Sequence, residues 1–332
     1  MVYPSYRFFT ALLLLTPALN AEQNPPEALI AAGHWKQARA IVEARLRDRP
    51  PDAEAYFLLS QLRFAFGDHS APLMLAEKAV ALDGSVAKYH RQVAEAIGVE
   101  AQHAGPFQEI GLARRFRKEI DRALELDPRD TQALRDLLEY YLVAPGIIGG
   151  SSHEATAVAD RIAAIDAPAG FLAKARIAAF HKRPSETESL LRQAAQAQPP
   201  SYRARIELGQ FYVNTEHPNL DAAENAAREA RQLDRTRVDA YSILATAYAD
   251  RGDFARLEES LAEASREVRD NLAPYYRAAD RLLASKSDLS RAERYLRRYL
   301  EQEPEGTEPS ASEAHGKLDL ILKAEGHTEK EF

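Results

Sequence analysis

Helix-ending segments recur along this chain at a nearly constant interval, and this recurrence restricts the fold more than any other feature. ALDG (81–84), ELDP (125–128), AIDAP (164–168), QAQPP (196–200), QLDR (232–235) and EQEP (301–304) each close an amphipathic stretch. Uninterrupted spacings are about 34 residues, widening to about 44 where extra residues intervene. Between successive stops lie two stretches with apolar or Ala positions three and four apart, which is the helical period. Gly33, Gly67 and Gly252 fall at the break between the two stretches, where glycine supplies the left-handed cap that closes a helix. Proline cannot continue a helix and so starts the next unit. The pattern predicts an all-α chain of antiparallel helix pairs, each relying on its neighbours to cover its apolar face.

In residues 239–269, Tyr241, Leu244, Ala245, Tyr248, Gly252, Phe254 and Ala264 occupy the fixed small and large positions of the tetratricopeptide repeat family, which this unit resembles. It departs from the family at Leu257, where alanine is usual, and at Arg269, where proline is usual. Units from Ala53 (Tyr56, Leu59, Gly67, Ala79) and from Tyr202 (Leu208, Gly209, Tyr212, Ala223, Ala230) also match, with weaker copies near Ala87, Thr131, Gly170 and Leu272. The pattern has a packing cause: a small residue on one helix admits a large aromatic from the next. The resemblance implies a right-handed α-solenoid of stacked helical hairpins. The expected division is a signal peptide (1–21), a partial repeat with Gly33, Trp35 and Ala38 (22–52), about seven hairpins (53–306) and a capping partial repeat (307–332). The expected shape is an elongated coil whose inner wall is open to a partner.

The opening residues predict export. Arg7 precedes an apolar run, Phe8 to Leu15, then Pro17 and the small Ala21, the layout of a cleavable signal. That run is shorter than the ~20 residues a membrane helix needs, and no later segment is apolar enough to span. The expected location is the periplasm, with full secretion as the alternative. With no cysteine, disulfides, thiol chemistry and a lipid-modified N-terminal cysteine are excluded. The formal net charge of −7 argues against general binding to nucleic acid or anionic lipid.

Two stretches break the regular spacing. Residues 98–116 (GVEAQHAGPFQEIGLARRF) lengthen one hairpin, with a turn signal at Gly105-Pro106. Residues 140–155 (YYLVAPGIIGGSSHEA) join the next two helices through a Gly-rich loop containing Pro145, Gly146, Gly149 and Gly150. Ser151 followed by Glu154 is a capping-box pattern that starts the second helix. Together the two irregularities resemble exported bacterial tetratricopeptide repeat proteins with an APGI-GG loop. Backbone N–H groups ahead of a helix suit an anion, but the loop lacks the Lys-Ser/Thr ending of a phosphate-binding loop. It also reads as a structural turn.

No catalytic constellation is legible. The nine histidines are scattered without metal-ligand spacing, and no nucleophile elbow is present. A carboxylate pair with divergent pKa values would serve acid/base chemistry, but sequence does not single one out. The expectation is therefore a non-enzymatic protein with no metal and no cofactor.

By the family resemblance, the first helix of each hairpin lines a concave groove. Projected onto this sequence, that face begins with Phe57, Gln61 and Phe64, continues through Arg135, Glu139, Arg176, Arg203 and Gln210, and ends with Asp239, Ser242, Thr246, Tyr276 and Asp280. Aromatic anchors and graded charge suit an extended or helical peptide. The expected function is thus a scaffold gripping a protein or peptide partner in the groove. The alternative is a small-molecule, glycan or anion binder that uses the Gly-rich loop (144–152) and the lengthened hairpin (98–116).

Overall fold

The computed structural model describes residues 24–324 except 69, 70 and 103, with the side chains of 106 and 107 also undescribed. The signal-peptide segment lies outside the described residues. These are helices and turns, with no strand among them. A short hairpin, α1 (Pro26–Ala32) and α2 (Trp35–Asp48), begins the stack. Then come α3 (Ala53–Ala65) with α4 (Pro72–Leu82), α5 (Ala87–Gln102) with α6 (Pro106–Leu126), and α7 (Thr131–Val143) with α8 (Ser152–Ile165). The later hairpins are α9 (Ala167–Phe180) with α10 (Pro184–Gln196), α11 (Tyr202–Asn214) with α12 (Leu220–Leu233), α13 (Val238–Arg251) with α14 (Phe254–Glu267), and α15 (Ala273–Ser285) with α16 (Leu289–Tyr299). A single helix, α17 (Ala311–Ala324), closes the series. The chain is an all-α helical-repeat solenoid.

Local chemistry sets the helix ends. Asp52, Asp130, Ser151 and Asp166 each accept a backbone N–H of the first turn that follows them, satisfying donors that have no helical partner. Gly33 and Gly252 end α1 and α13 at φ of 89° and 70°, a conformation that costs glycine little. Small residues set the helix spacing. A Cβ on Gly170 would lie 2.4 Å from the Ala163 backbone, so α9 rests almost directly on α8. From α11 to α17 the core is continuous, with Tyr295 and Tyr299 almost wholly buried.

The two ends of the coil meet. His34 Nδ1 is 2.8 Å from Asp270 Oδ1, and the Lys36 backbone N–H donates to Glu305 Oε2 at 2.8 Å. Lys36 Nζ donates to the Glu303 carbonyl at 2.6 Å, and the Arg39 guanidinium clasps the Glu303 carboxylate at 3.2 and 2.8 Å. Gly306 presses on Ala65, where a Cβ would come within 2.9 Å. The stack has turned far enough for its first hairpin to dock on the loops after α14 and α16. The shape is therefore a closed turn, a correction to the elongated coil expected from the repeats. Nearest-neighbour packing fixes each step but leaves the summed curvature unstated.

Candidate functional site

The two irregular stretches come together. α5 runs on to Gln102, and α6 has 21 residues, against 11 to 14 in the other second helices α4, α8, α10, α12, α14 and α16. The extra turns stand beside the loop that follows α7. There the chain makes a 3-10 turn (Gly146–Ile148), passes Gly149 at φ 106°, and folds back so tightly that a Cβ on Gly150 would sit 1.7 Å from the Ala144 carbonyl oxygen. Tyr140 fastens the arrangement: its ring stacks on Phe116 at 5.9 Å, and its hydroxyl donates to the Ile148 carbonyl. Ser151 Oγ then accepts from Glu154 N at 3.2 Å and starts α8, as the capping pattern predicts.

Between these elements lies a cavity of about 520 Å³, within the range that holds a drug-sized molecule. Ala96, Leu112, Ala113, Phe116, Val143 and Ile148 form much of its apolar wall. Its polar groups are Gln92 and Glu95 of α5, Glu109 of α6, and Asp136 and Glu139 of α7, with Gln102 at the end of α5. Gln92 is 3% exposed; its Nε2 donates to Ser60 Oγ at 3.3 Å, but its Oε1 has no hydrogen-bond partner. Asp136 Oδ2 is buried and also unpartnered. Glu95 is surrounded by protein yet part of its side chain is solvent-accessible, and Arg91 pairs with it across one helical turn. Burial is the main force raising the Asp136 pKa well above its ordinary value; the Glu95 charge adds to it and Arg91 only partly offsets it. Burial likewise raises Glu95, against the pull of Arg91.

The loop has no free backbone N–H between residues 148 and 151 to offer an anion. The backbone N–H groups of residues 148–151 donate to the carbonyls of Pro145, Gly146, Pro145 and Tyr141 in turn, and the neighbouring wall is acidic. Among the described residues, no three His, Asp or Glu side chains converge to hold a metal ion.

The projected groove residues separate into three sets. Phe64, Glu139 and Pro145 line the cavity just described. Arg135, Glu139, Arg176 and Arg203 gather with Asp136 and Glu207 around an adjoining space of about 210 Å³. There Arg176 clasps Glu139 through two 2.7 Å bonds, and Arg203 holds Glu207 at 2.6 Å. Phe57 (2% exposed), Thr246 (8%) and Tyr276 (4%) belong to the core instead. Phe57 packs on Tyr89, Tyr276 packs on Tyr299, and Thr246 Oγ1 bonds the Ser242 carbonyl. These three are corrected from groove anchors to packing residues.

The remaining positions lie apart from the cavity. Asp239 accepts from Tyr202 at 3.3 Å, Asp280 accepts from Lys317, and Ser242 Oγ is buried without a partner. Gln61 is half-buried, Gln210 is exposed, and Gly146, Gly149 and Gly150 shape the loop. Gln92, Glu95, Glu109 and Asp136 escaped the sequence reading. The one available signal was the presence of carboxylates inside otherwise apolar helix stretches.

No family model matches the chain, and no curated protein matches it in sequence. Among solved structures it is similar to TTC0263, a thermophilic TPR protein of Thermus thermophilus, at 19% identity over 56% of this chain and 94% of that one, with a TM-score of 0.49. It is similar to the Cut9-Hcn1 hetero-tetramer of the APC/C at 14% identity over 90% of this chain, TM-score 0.44, and spans about half (54%) of the chain it matches there. A tetratricopeptide repeat protein of Parabacteroides merdae is similar at 12% identity over 90% of this chain and 96% of that one, TM-score 0.40.

Proposed function

We propose that this protein is a non-enzymatic binding scaffold that holds a small ligand in the cavity between α5, α6, α7 and the loop after α7. One observation carries the reading: the two stretches that depart from the repeat spacing are the ones that enclose the cavity. A regular solenoid of hairpins has no packing need for either. Ala113 is half-buried on the α6 wall, so Ala113→Phe fills the space without entering the main core. In a thermal-shift screen of small apolar compounds, the hits that stabilise the wild type lose their effect in Ala113→Phe. Hits that survive the substitution contradict the reading.

A second reading is favoured by the convergence of Arg135, Arg176 and Arg203 with Glu139 and Glu207. There the inner wall takes an extended polypeptide with charges of both signs. Arg176→Glu combined with Arg203→Glu weakens capture of such a partner; unchanged capture removes this reading and leaves the cavity untouched. The proposal also places the mature chain outside the cytoplasm, on the strength of Arg7 and the apolar run after it. Fractionation of intact cells tests that placement.

A further inference from the structure

We propose that the cavity takes a small organic cation, a protonated amine carried on an apolar body of about ring-pair size. This inference rests on the cavity reading above and adds the charge and hydrogen-bonding character of the occupant.

The first argument is charge. Four carboxylates, Glu95, Glu109, Asp136 and Glu139, contribute to the wall, and no Lys, Arg or His among the described residues does. The cations closest to hand already serve other groups. Arg91 pairs with Glu95 and lies 3.9 Å from Asp130, although its own Nε is buried without a partner; Arg176 holds both oxygens of Glu139, Arg203 holds Glu207, and Arg135 donates to Gln132. Among the described residues, Asp136 has no salt-bridge partner. A carboxylate taken out of water and left unpaired is costly, and a cation in the cavity would remove that cost.

Hydrogen bonding points the same way. The unpartnered buried atoms on the wall are both acceptors, Asp136 Oδ2 and Gln92 Oε1. Gln92 is 3% exposed, and its amide nitrogen is already committed to Ser60 Oγ, which leaves the oxygen as its unused end. An ammonium has three donors and no acceptor, so once small side-chain shifts open the two oxygens to the cavity it has a donor to offer each of them. An alcohol brings one donor, and a carboxylate brings none and is repelled.

The rest of the wall sets the body of the ligand. Leu112, Ala113, Phe116, Val143 and Ile148 are apolar, and Phe116 is held in a stack against Tyr140. About 520 Å³ is far more than an ammonium alone requires. A metal ion would leave this apolar volume empty, and no three-ligand cluster is present among the described residues. The upward push on Asp136 is what an empty site of this kind should show. A bound cation reverses it, because an opposite charge at close range favours the ionised form.

The test uses the mature chain and three fluorescent probes of matched shape: naphthylpropylamine, naphthylpropanol and naphthylpropanoate. In titrations at neutral pH, the amine binds at least about tenfold more tightly than either of the others, a preference of about 1.4 kcal/mol. Asp136→Asn keeps the shape of the side chain but removes its charge and turns one acceptor oxygen into a donor, and in it the amine loses most of that preference. Ala113→Phe abolishes binding of all three. Equal binding of amine and alcohol, or tighter binding of the carboxylate, overturns the cation inference; loss of both in Ala113→Phe would then leave the cavity reading standing. If no probe binds at millimolar concentration, or if Ala113→Phe changes nothing, the cavity reading fails as well. Circular dichroism on both variants confirms that they are folded.

Discussion

In the regular part of the solenoid, Glu224 of α12 is 7% exposed and accepts from Tyr248 (3.1 Å), Arg251 (2.7 Å) and Arg256 (3.1 Å), with Arg228 at 2.8 Å. In the irregular part, Asp136 of α7 is half-buried, and its Oδ2 is buried with nothing bonded to it. Burial raises the proton affinity of both. At Glu224 the surrounding arginines and tyrosine outweigh burial, and its pKa falls below the ordinary value. At Asp136 nothing does, and its pKa rises well above. The difference separates two uses of a buried carboxylate. Glu224 ties α12 to α13 and α14 and is complete within the chain. Asp136 faces a cavity and needs something the chain does not provide.

The sharpest way to break this comparison is to truncate both residues. Removing one member of a buried, paired network costs about 3 kcal/mol, so Glu224→Ala lowers the urea-unfolding free energy by about that amount. Asp136→Ala leaves it unchanged or raises it, because no bond is lost and an unpaired charge is removed. Equal losses would mean that Asp136 is structural after all.

Next in size are two glycines. Gly170→Ala forces a methyl group onto the Ala163 backbone and costs about 1–3 kcal/mol through overpacking. Gly111 lies within α6, and a Cβ there meets nothing within 4 Å. Gly111→Ala therefore stabilises the chain by about 0.5–1 kcal/mol. Thermal unfolding of the two variants should move in opposite directions; a loss at Gly111 would show that the lengthened α6 is packed as tightly as the regular helices.

The pH dependence separates the regions by sign. Glu224 has a lowered pKa when folded, so its contribution is present above about 4.5 and is lost as pH falls through the folded value. Asp136 has a raised pKa, so its contribution is full below about 3.8 and is lost as pH rises through the folded value. Glu224→Gln flattens the acid limb of a stability–pH curve, while Asp136→Asn flattens the decline on the alkaline side. Identical curves for the two variants would erase the distinction.

Last comes the closure between the chain ends, whose outer pair, Arg39–Glu303, is partly exposed and worth about 1 kcal/mol or less. Asp270, through its hydrogen bond, raises His34, and burial pushes Glu305 up to about 7. Both contributions are lost as pH rises through the folded values. Asp270 has the opposite sign, being lowered, and matters only in strong acid. Small-angle scattering should show a larger radius at pH 9 than at pH 6, with helicity unchanged, and His34→Ala should reduce that difference.

Much of the fold was legible because its signals are local. Asp166 both ends α8 and caps α9, and Ser151 starts α8; each acts within one helical turn of its own position. The two irregular stretches were legible for the same reason, as departures from a spacing. What they enclose was not, because the cavity depends on how the extra turns of α6 stand against the loop after α7. The groove projection placed Phe64, Arg135, Glu139, Arg176 and Arg203 around the two cavities but misplaced Phe57, Thr246 and Tyr276. Successive helix residues are about 100° apart, so a shift of one position turns a wall residue into a packing residue. Asp136 escaped because its distinguishing feature is a missing partner, which has no sequence signature.

The most direct test of the account is a crystal structure of the mature chain at a resolution that shows ordered water and bound molecules. The account predicts an open cavity bounded by Leu112, Asp136, Tyr140 and Ile148, with an ordered molecule donating a hydrogen bond to the Asp136 carboxylate. An α6 collapsed onto α7, with Phe116 and Leu112 filling the space and Asp136 paired to a protein cation, would contradict it.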